Sequence, residues 1–266
     1  MESLPLIILP DSNNPEAAEV LIDGKIGATS CRFLLDTGAA ITCVDFDDYT
    51  STFKRVGTKE TAGAFSKSSL DLIIAPSISI GPFTEQNLLV SRRKNGSKRQ
   101  RNLIGMNFLK NLCIYFYFDS DRVEAGPLQQ PKAGCGLRPL TLGRSSHPYL
   151  AVNFGGWAAT AVWDTGAGMT VVDKGFVDNH PAFFRPSGIS KGNDSAGAEE
   201  ETPAYVMEGA TIGGRRFDHI KVSAFDFSRV TTHADIPFEI ILGYNLIKQA
   251  NWCFDFPAKK WGFLDS

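Results

Sequence analysis

Short apolar runs bounded by polar and turn residues recur along the whole chain, and this pattern is typical of β-strands. Residues 70–74, 77–80 and 219–225 are examples, each rich in β-forming side chains. Apolar positions with helical spacing do not extend over four turns anywhere in the sequence. The pattern therefore predicts a mostly β protein.

Three short motifs occur twice in the same order, which indicates an internal repeat. Each motif has one copy in either part of the chain: Asp-Thr-Gly-Ala at 36–39 and 164–167, Ala-Gly-Ala at 62–64 and 196–198, and apolar-apolar-Gly-x-Asn at 103–107 and 241–245. The offset grows from 128 residues at the first motif to 138 at the third, so the second copy is longer. We expect two tandem β-barrel halves related by a pseudo-two-fold axis.

Turn and helix signals place further elements within each copy. Before the Asp-Thr-Gly motifs, Asp23-Gly24 and Gly155-Gly156 lie between β-forming runs, and such pairs predict hairpin turns. After the third motif, residues 107–111 and 245–249 are each predicted to form one short helix.

A stretch rich in proline, glycine and polar residues separates the two copies, and it predicts a linker. The expected organisation is an N-terminal half at residues 1–125, a linker at 126–146 and a C-terminal half at 147–266.

Composition argues against several classes of function. The formal charge of −2 gives no reason to expect a nucleic-acid or anionic-membrane partner. No apolar run approaches the roughly 20 residues of a membrane-spanning helix. Residues 1–10 lack the basic flank and the length of a signal peptide, which favours a soluble, cytoplasmic protein.

The spacing of cysteine and histidine indicates neither a disulfide framework nor a metal site. The five cysteines are odd in number, lack CxxC spacing and lie mostly in apolar surroundings typical of buried thiols. The four histidines are scattered, so no metal or other cofactor is expected.

One segment, residues 92–101, concentrates six basic residues in ten. A partner-binding patch and a processing site are alternative interpretations. A solvated hairpin tip is the interpretation that the charge pattern favours.

Asp36 and Asp164 are the candidate catalytic residues. A duplicated fold arranges its copies about an approximate two-fold axis, as a closed homodimer does. A loop near that axis meets its own counterpart, so the two carboxylates are expected to face each other. Such a pair shares one proton, because both groups cannot ionise at low cost. One is then a base and the other an acid, and together they can activate water against an amide carbonyl.

The repeated Asp-Thr-Gly-Ala and Gly-x-Asn motifs resemble those of the aspartic peptidases, and those of the retropepsin branch more than those of the pepsin branch. In retropepsins two identical chains each supply one Asp-Thr-Gly, whereas pepsins carry both in one longer chain. This sequence resembles two retropepsins fused into one chain. The resemblance implies a monomeric aspartic endopeptidase that acts on peptide or protein substrates through Asp36 and Asp164.

The resemblance also implies supporting roles at matching positions. The residues expected to shape the active-site loops, with the threonines cross-bonding them and the glycines bringing amides to the carboxylates, are Thr37, Gly38, Ala39, Thr165, Gly166 and Ala167. The residues expected to brace those loops from behind are Ile104, Gly105, Leu242 and Gly243. The candidate flap residues, which would close over substrate, are Gly63, Ala64, Phe65, Gly197 and Ala198.

The residue after each Asp-Thr-Gly has a physical consequence. Pepsin-like sequences usually carry Ser or Thr there, whose hydroxyl donates to the carboxylate and lowers its pKa. Ala39 and Ala167 have no hydroxyl, so we expect a pH optimum in the weakly acidic to neutral range. The acidic residues 199–201 beside the second flap point to a preference for basic residues in the substrate.

Two other functions are compatible with the sequence. A pseudo-peptidase would bind a peptide or protein in the same cleft without cutting it, because a fold alone does not establish activity. An interaction module would pair each half with a half of another chain, an arrangement that the length of the predicted linker permits.

Overall fold

The computed structural model of the chain describes residues 1–62, 67–94, 101–126, 135–193, 199–231 and 234–264. Strands predominate and form three sheets among these residues, which confirms the predicted mostly β fold. The elements up to residue 126 are β1 (Glu2–Pro5), β2 (Ile7–Pro10), β3 (Ala18–Ile26), β4 (Thr29–Leu35), β5 (Cys43–Val44), α1 (Asp48–Ser51), β6 (Arg55–Ala62), β7 (Lys67–Ile80), β8 (Phe83–Arg92), β9 (Leu103–Ile104), α2 (Met106–Leu109), β10 (Cys113–Tyr117) and β11 (Arg122–Gly126).

The elements after residue 134 follow a similar order. They are β12 (Arg138–Pro139), β13 (Thr141–Leu142), β14 (Pro148–Phe154), β15 (Trp157–Trp163), β16 (Thr170–Asp173), α3 (Lys174–Asn179), a 3₁₀ turn at Pro181–Phe183, β17 (Phe184–Asn193), β18 (Glu199–Met207), β19 (Ala210–Ile212), β20 (Arg215–Phe217), β21 (Ile220–Phe225), α4 (Ser228–Thr231), β22 (Ile240–Leu242), α5 (Tyr244–Ile247), β23 (Asn251–Asp255) and β24 (Lys260–Leu264).

The two copies repeat the same strand pairings. In the first copy, β4 is antiparallel to β3 and parallel to β9. In the second copy, β15 is antiparallel to β14 and parallel to β22. One sheet has the order β2-β3-β4-β9-β5-β8-β7-β6, and the other runs β17-β18-β21-β16-β22-β15-β14-β19-β20. The predicted architecture of two tandem halves is therefore confirmed.

A third sheet, here called the inter-half sheet, joins the copies in the order β1-β11-β10-β23-β24-β12. At its centre β10 of the first copy lies antiparallel to β23 of the second. The predicted linker at 126–146 contains β12, which pairs with β24, and β13, which pairs with β14. Residues 127–134 lie outside the described residues, and the boundaries of the halves stay predictions.

An aromatic group lies at the centre of the apolar core, where the two halves meet. Trp163 is fully buried, and its ring centroid lies 4.9 Å from that of Phe116 on β10. The corresponding distances to Phe254 and Trp252 on β23 are 4.4 Å and 5.7 Å. Aromatic pairs of this kind contribute about 0.5–1.5 kcal/mol each beyond the area that they bury, so this group holds the two halves together directly before Asp164.

The predicted hairpin turn at Asp23-Gly24 is wrong, whereas the one at Gly155-Gly156 matches the structure. Phe154 pairs with Trp157 across the glycine pair. In the first copy β3 runs on through Asp23-Gly24, and the chain reverses at residues 27–28, where Gly27 has a φ of +57°. Gly24 is required for another reason: a Cβ there would lie 2.4 Å from the carbonyl oxygen of Ser79 on β7. Glycine here permits a close approach of two backbones.

The two short helices lie where they were predicted, each beginning one residue earlier, as α2 and α5. The basic segment differs from its favoured interpretation at its start. Arg92 and Arg93 are buried, and they pair with Asp71 at 2.9 Å and with Asp45 at 3.0 Å. Residues 95–100 of the segment lie outside the described residues.

Candidate active site

Each candidate catalytic aspartate follows directly after the buried C-terminal end of a strand. Asp36 follows β4, and its amide donates to the carbonyl of Ile104 at 3.0 Å. Asp164 follows β15, and its amide donates to the carbonyl of Leu242 at 3.0 Å. The parallel pairings β4–β9 and β15–β22 therefore fix where both carboxylates leave the sheet.

The two Asp-Thr-Gly loops face each other across the boundary between the halves. A Cβ on Gly38 would lie 2.3 Å from Oδ2 of Asp164, and a Cβ on Gly166 would lie 2.4 Å from Cγ of Asp36. No side chain fits at either position. Glycine at both positions is what allows each loop to approach the opposite carboxylate.

The two threonines tie the loops together beneath the carboxylates. The amide of Thr37 donates to Oγ1 of Thr165 at 3.2 Å, and the amide of Thr165 donates to Oγ1 of Thr37 at 3.1 Å. Oγ1 of Thr37 in turn donates to the carbonyl of Trp163 at 2.7 Å. Both threonines are fully buried, so these bonds form where water does not compete for the same partners.

Amide contacts make the two carboxylates unequal. Oδ1 of Asp164 accepts the amide of Gly166 at 2.8 Å and that of Gly38, from the opposite loop, at 3.1 Å. Two backbone donors on one oxygen favour the ionised form of Asp164. Gly166 donates within its own loop and not to Asp36, so the cross-loop amide bond runs in one direction.

The electrostatics of the pair follow the same asymmetry. Burial and the neighbouring charge of Asp164 raise the pKa of Asp36 well above its usual range. Burial raises the pKa of Asp164 too. Backbone amides oppose the rise at both groups: those of Gly166 and Gly38 act on Asp164, and those of Gly38 and Ala39 act on Asp36. The interaction of the two carboxyl groups raises the pKa of Asp36 further and lowers that of Asp164. The shared proton is therefore assigned to Asp36, while the titration belongs to the pair.

The predicted bracing elements pass directly behind the two loops. The amide of Met106 donates to the carbonyl of Ala39 at 2.8 Å, and the amide of Tyr244 donates to that of Ala167 at 2.8 Å. A Cβ on Gly105 would lie 2.8 Å from the carbonyl oxygen of Ala39. Gly243 is equally confined, since a Cβ there would lie 2.2 Å from the backbone of Met169.

Sequence analysis missed a hydrogen-bonded threonine–asparagine pair in each half, which connects the segment after the Asp-Thr-Gly loop to the bracing element behind it. Oδ1 of Asn107 accepts the amide and the hydroxyl of Thr42, both at 2.8 Å, and Oγ1 of Thr42 accepts the amide of Gly105 at 3.1 Å. In the second copy, Oδ1 of Asn245 accepts the amide of Thr170 at 2.7 Å. The signal was present, because a threonine follows each catalytic candidate by the same spacing.

The candidate flap residues Gly63, Ala64, Phe65, Gly197 and Ala198 lie outside the described residues. The strands that lead to them are described. β6 pairs with β7, and β17 pairs with β18, each as an antiparallel hairpin. In sequence, the candidate flap residues fall between the two strands of each pair, and their assignment as flaps stays a prediction.

The described residues provide neither a metal-binding group nor a helix that could span a membrane. Within the described ranges, His, Cys, Asp and Glu side chains nowhere form a group of three or more that could hold a metal ion. Among the described helices, none has the length and apolar character needed to cross a membrane.

Known proteins resemble this chain in sequence over part of its length and in fold over all of it. Residues 22–111 match the family described as "gag-polyprotein putative aspartyl protease". The crystal structure of an aspartic proteinase from Irpex lacteus covers 100% of this chain and 97% of its own, with a TM-score of 0.58 and 13% identity. No curated protein matches the sequence. The N-terminal half thus resembles that family in sequence, and the whole chain, with its two fused lobes, has the fold of an aspartic proteinase.

Proposed function

We propose that this chain is an aspartic endopeptidase in which Asp36 and Asp164 together activate a water molecule to hydrolyse peptide bonds. The observation that carries the proposal is the contact between the loops, in which Gly38 of one loop donates to Asp164 of the other at 3.1 Å. Both carboxylates are half-buried, so they remain open to a water and a substrate. The substrates in this proposal are peptides or proteins.

The asymmetry of the pair assigns a role to each carboxylate. Asp164 is ionised and takes a proton from the attacking water, while protonated Asp36 donates to the carbonyl oxygen of the scissile bond. The tetrahedral intermediate then collapses: the C–N bond breaks as the proton on Asp164 passes to the departing nitrogen, and a hydroxyl proton of the intermediate returns to Asp36, which restores the pair. The amides of Gly38 and Gly166 keep Asp164 in the ionised state that the first step needs.

Preorganisation of the loops supports this mechanism. The buried bonds between Thr37 and Thr165 fix the separation of the two loops before a substrate arrives. Because both aspartates belong to one chain, we expect the monomer to be active.

The pH range of activity follows from the two pKa directions. Cleavage needs Asp164 ionised and Asp36 protonated, so the rate falls at low pH as Asp164 gains a proton and at high pH as Asp36 loses one. Burial raises the pKa of both groups, and neither Ala39 nor Ala167 offers a hydroxyl to lower it. A bell-shaped profile centred in the weakly acidic to neutral range is expected.

The test is cleavage of a diverse peptide library from about pH 3 to about pH 8 by wild type and by Asp36→Asn and Asp164→Asn. Asp178→Asn, an exposed carboxylate on α3 paired with Lys174, is the matched control. We expect each dyad variant to lose about 1,000-fold or more in rate, the control to remain active, and a transition-state mimic of the pepstatin type to inhibit the wild type.

Two outcomes contradict the proposal. If folded wild type cuts nothing at any pH but binds peptides intact, the chain is a pseudo-peptidase. If Asp36→Asn retains activity while Asp164→Asn does not, the two carboxylates do not act as a pair. Light scattering of the active fraction separates a monomer from a dimer built by exchange of halves.

A further inference from the structure

Three cysteine side chains meet on one face of the inter-half sheet. Cys113 belongs to β10, Cys253 to β23, and Cys135 lies just before β12. All three are buried, with exposed fractions of 2%, 1% and 5%, and they form one cluster with Tyr115 and Leu264. The cluster therefore combines a thiol from each half with a thiol from the segment that connects them.

Strand register places Cys113 and Cys253 close together. Cys113 lies opposite Asp255, and Cys253 lies opposite Tyr115, so the two cysteines are diagonal neighbours on the same face of adjacent antiparallel strands. Their side chains lie in the same buried cluster, and each thiol shifts the pKa of the other. Diagonal neighbours lie about 7 Å apart, just beyond the span of a disulfide, so joining the two sulfurs requires one strand to shift against the other.

Cys253 also contacts the third thiol. It lies opposite Gly262 on β24 and is hydrogen-bonded to Cys135. A Cβ on Gly262 would lie 2.7 Å from the carbonyl oxygen of Cys135. Glycine at position 262 thus creates the space in which Cys135 lies against the sheet, and Cys253 is the neighbour that the other two thiols share.

We propose that Cys113 and Cys253 form a redox-sensitive thiol pair, which a hydroperoxide oxidises to a disulfide that joins β10 of the first half to β23 of the second. The pair is separate from the Asp-Thr-Gly loops, and the proposal does not depend on peptidase activity. All five cysteines are present as thiols in the structure, which is the reduced state of this pair.

The surroundings of the thiols indicate which one reacts first. The hydrogen bond from Cys253 lowers the pKa of Cys113, and the same contact with burial raises the pKa of Cys253. Burial raises the pKa of Cys31 to about 12, and it also raises the pKa of Cys43. Because the thiolate is the nucleophile, Cys113 is the first to attack, and Cys31 and Cys43 serve as unreactive references.

The reaction takes place in two balanced steps. The thiolate of Cys113 attacks one oxygen of hydrogen peroxide, which breaks the O–O bond and yields a sulfenic acid and hydroxide. The sulfur of Cys253 then attacks the sulfur of Cys113, the S–O bond breaks, and the second oxygen leaves as water once the thiol proton has been transferred. Overall two thiols lose two electrons to one peroxide, which becomes two molecules of water.

The experiment treats the native full chain with hydrogen peroxide, quenches with an alkylating reagent in denaturant, counts thiols and maps the peptides without reduction. We expect the thiol count to fall from five to three in wild type, with a linked peptide that contains Cys113 and Cys253. Dithiothreitol is expected to restore all five thiols.

Single substitutions separate the possible partners. Cys253→Ser is expected to form no linked peptide and to lose at most the Cys113 thiol, whereas Cys135→Ser and the buried control Cys43→Ser are each expected to lose two thiols to a Cys113–Cys253 link. If Cys253→Ser fails to fold, the peptide map of wild type decides alone. A Cys135–Cys253 link, an unlinked Cys113 sulfinic acid or an unchanged thiol count would each overturn the proposal.

Discussion

Replacing Gly38 with alanine tests how closely the two loops must approach. A Cβ at this position would lie 2.3 Å from Oδ2 of Asp164, whereas ordinary contact begins near 3.4 Å. The loop or the carboxylate must therefore move by about 1 Å, and a displacement of that size at a catalytic group costs about 100-fold in rate. The added methyl group also overpacks the site, which typically costs about 1–3 kcal/mol in the free energy of unfolding.

The assay compares kcat and the unfolding midpoint of Gly38→Ala with those of Gly57→Ala. A Cβ on Gly57 would meet its nearest neighbour, Leu72, at 3.8 Å, so this control changes the same residue type without a clash. We expect kcat of Gly38→Ala to fall about 100-fold, KM to change little and the hydrogen bond from its amide to Asp164 to weaken. The control is expected to retain kcat.

The reasoning is refuted if Gly38→Ala is folded and keeps kcat within about threefold of wild type. That result would mean that Asp164 tolerates the displacement, and that the amide of Gly38 does not support the reaction. A variant that is unfolded decides nothing about catalysis, so circular dichroism and the unfolding midpoint accompany each rate.

Three further predictions concern stability, each measured by urea unfolding. Asp36→Asn is expected to be more stable than wild type at pH 7 and no more stable at pH 4. The pKa of Asp36 is raised in the native state, so the wild type loses stability as the pH rises above the ordinary aspartate pKa of about 3.9. A gain in stability that does not depend on pH would contradict this. Thr42→Val is expected to cost about 1–3 kcal/mol by removing one of the two donors to Asn107 and leaving the buried amide of Gly105 without its acceptor, and Thr42→Ser should recover most of it. Arg92→Met is expected to cost about 1–3 kcal/mol, because it leaves the buried carbonyl of Thr50 without its donor and Asp71 with Arg55 alone, while the exposed pair of Arg32 should contribute at most about 1 kcal/mol; equal losses would refute the burial argument.

The fold class and the two halves could be predicted because they depend on repetition. A motif that occurs twice, in the same order and between strand-like runs, imposes the same strand pairings on each copy. The structure places Asp36 and Asp164 on facing loops, and their catalytic roles stay a proposal. What the repeat could not predict is their inequality, which depends on the single amide bond from Gly38 to Asp164.

The wrong predictions concern residues whose conformation or burial is set by a partner that is distant in the sequence. Gly24 looks like a turn residue, but its role is decided by Ser79, on a strand more than fifty positions along the chain. Arg92 and Arg93 look like a solvated run, yet Asp71 and Asp45 draw them into the interior. Local pattern carries no information about such partners, because they meet only once the sheet has formed.

The one-directional amide bond has a consequence for how a peptide would lie in the cleft. In a dimer of identical chains, a peptide and its reversed pose are related by the symmetry axis and have the same energy. Here Asp164 accepts an amide from the opposite loop and Asp36 does not, so the two poses differ in energy. A difference of only about 1.4 kcal/mol is a tenfold preference. In the fused chain the two directions in which a peptide could lie across the carboxylates are therefore no longer equivalent, and one of them is preferred.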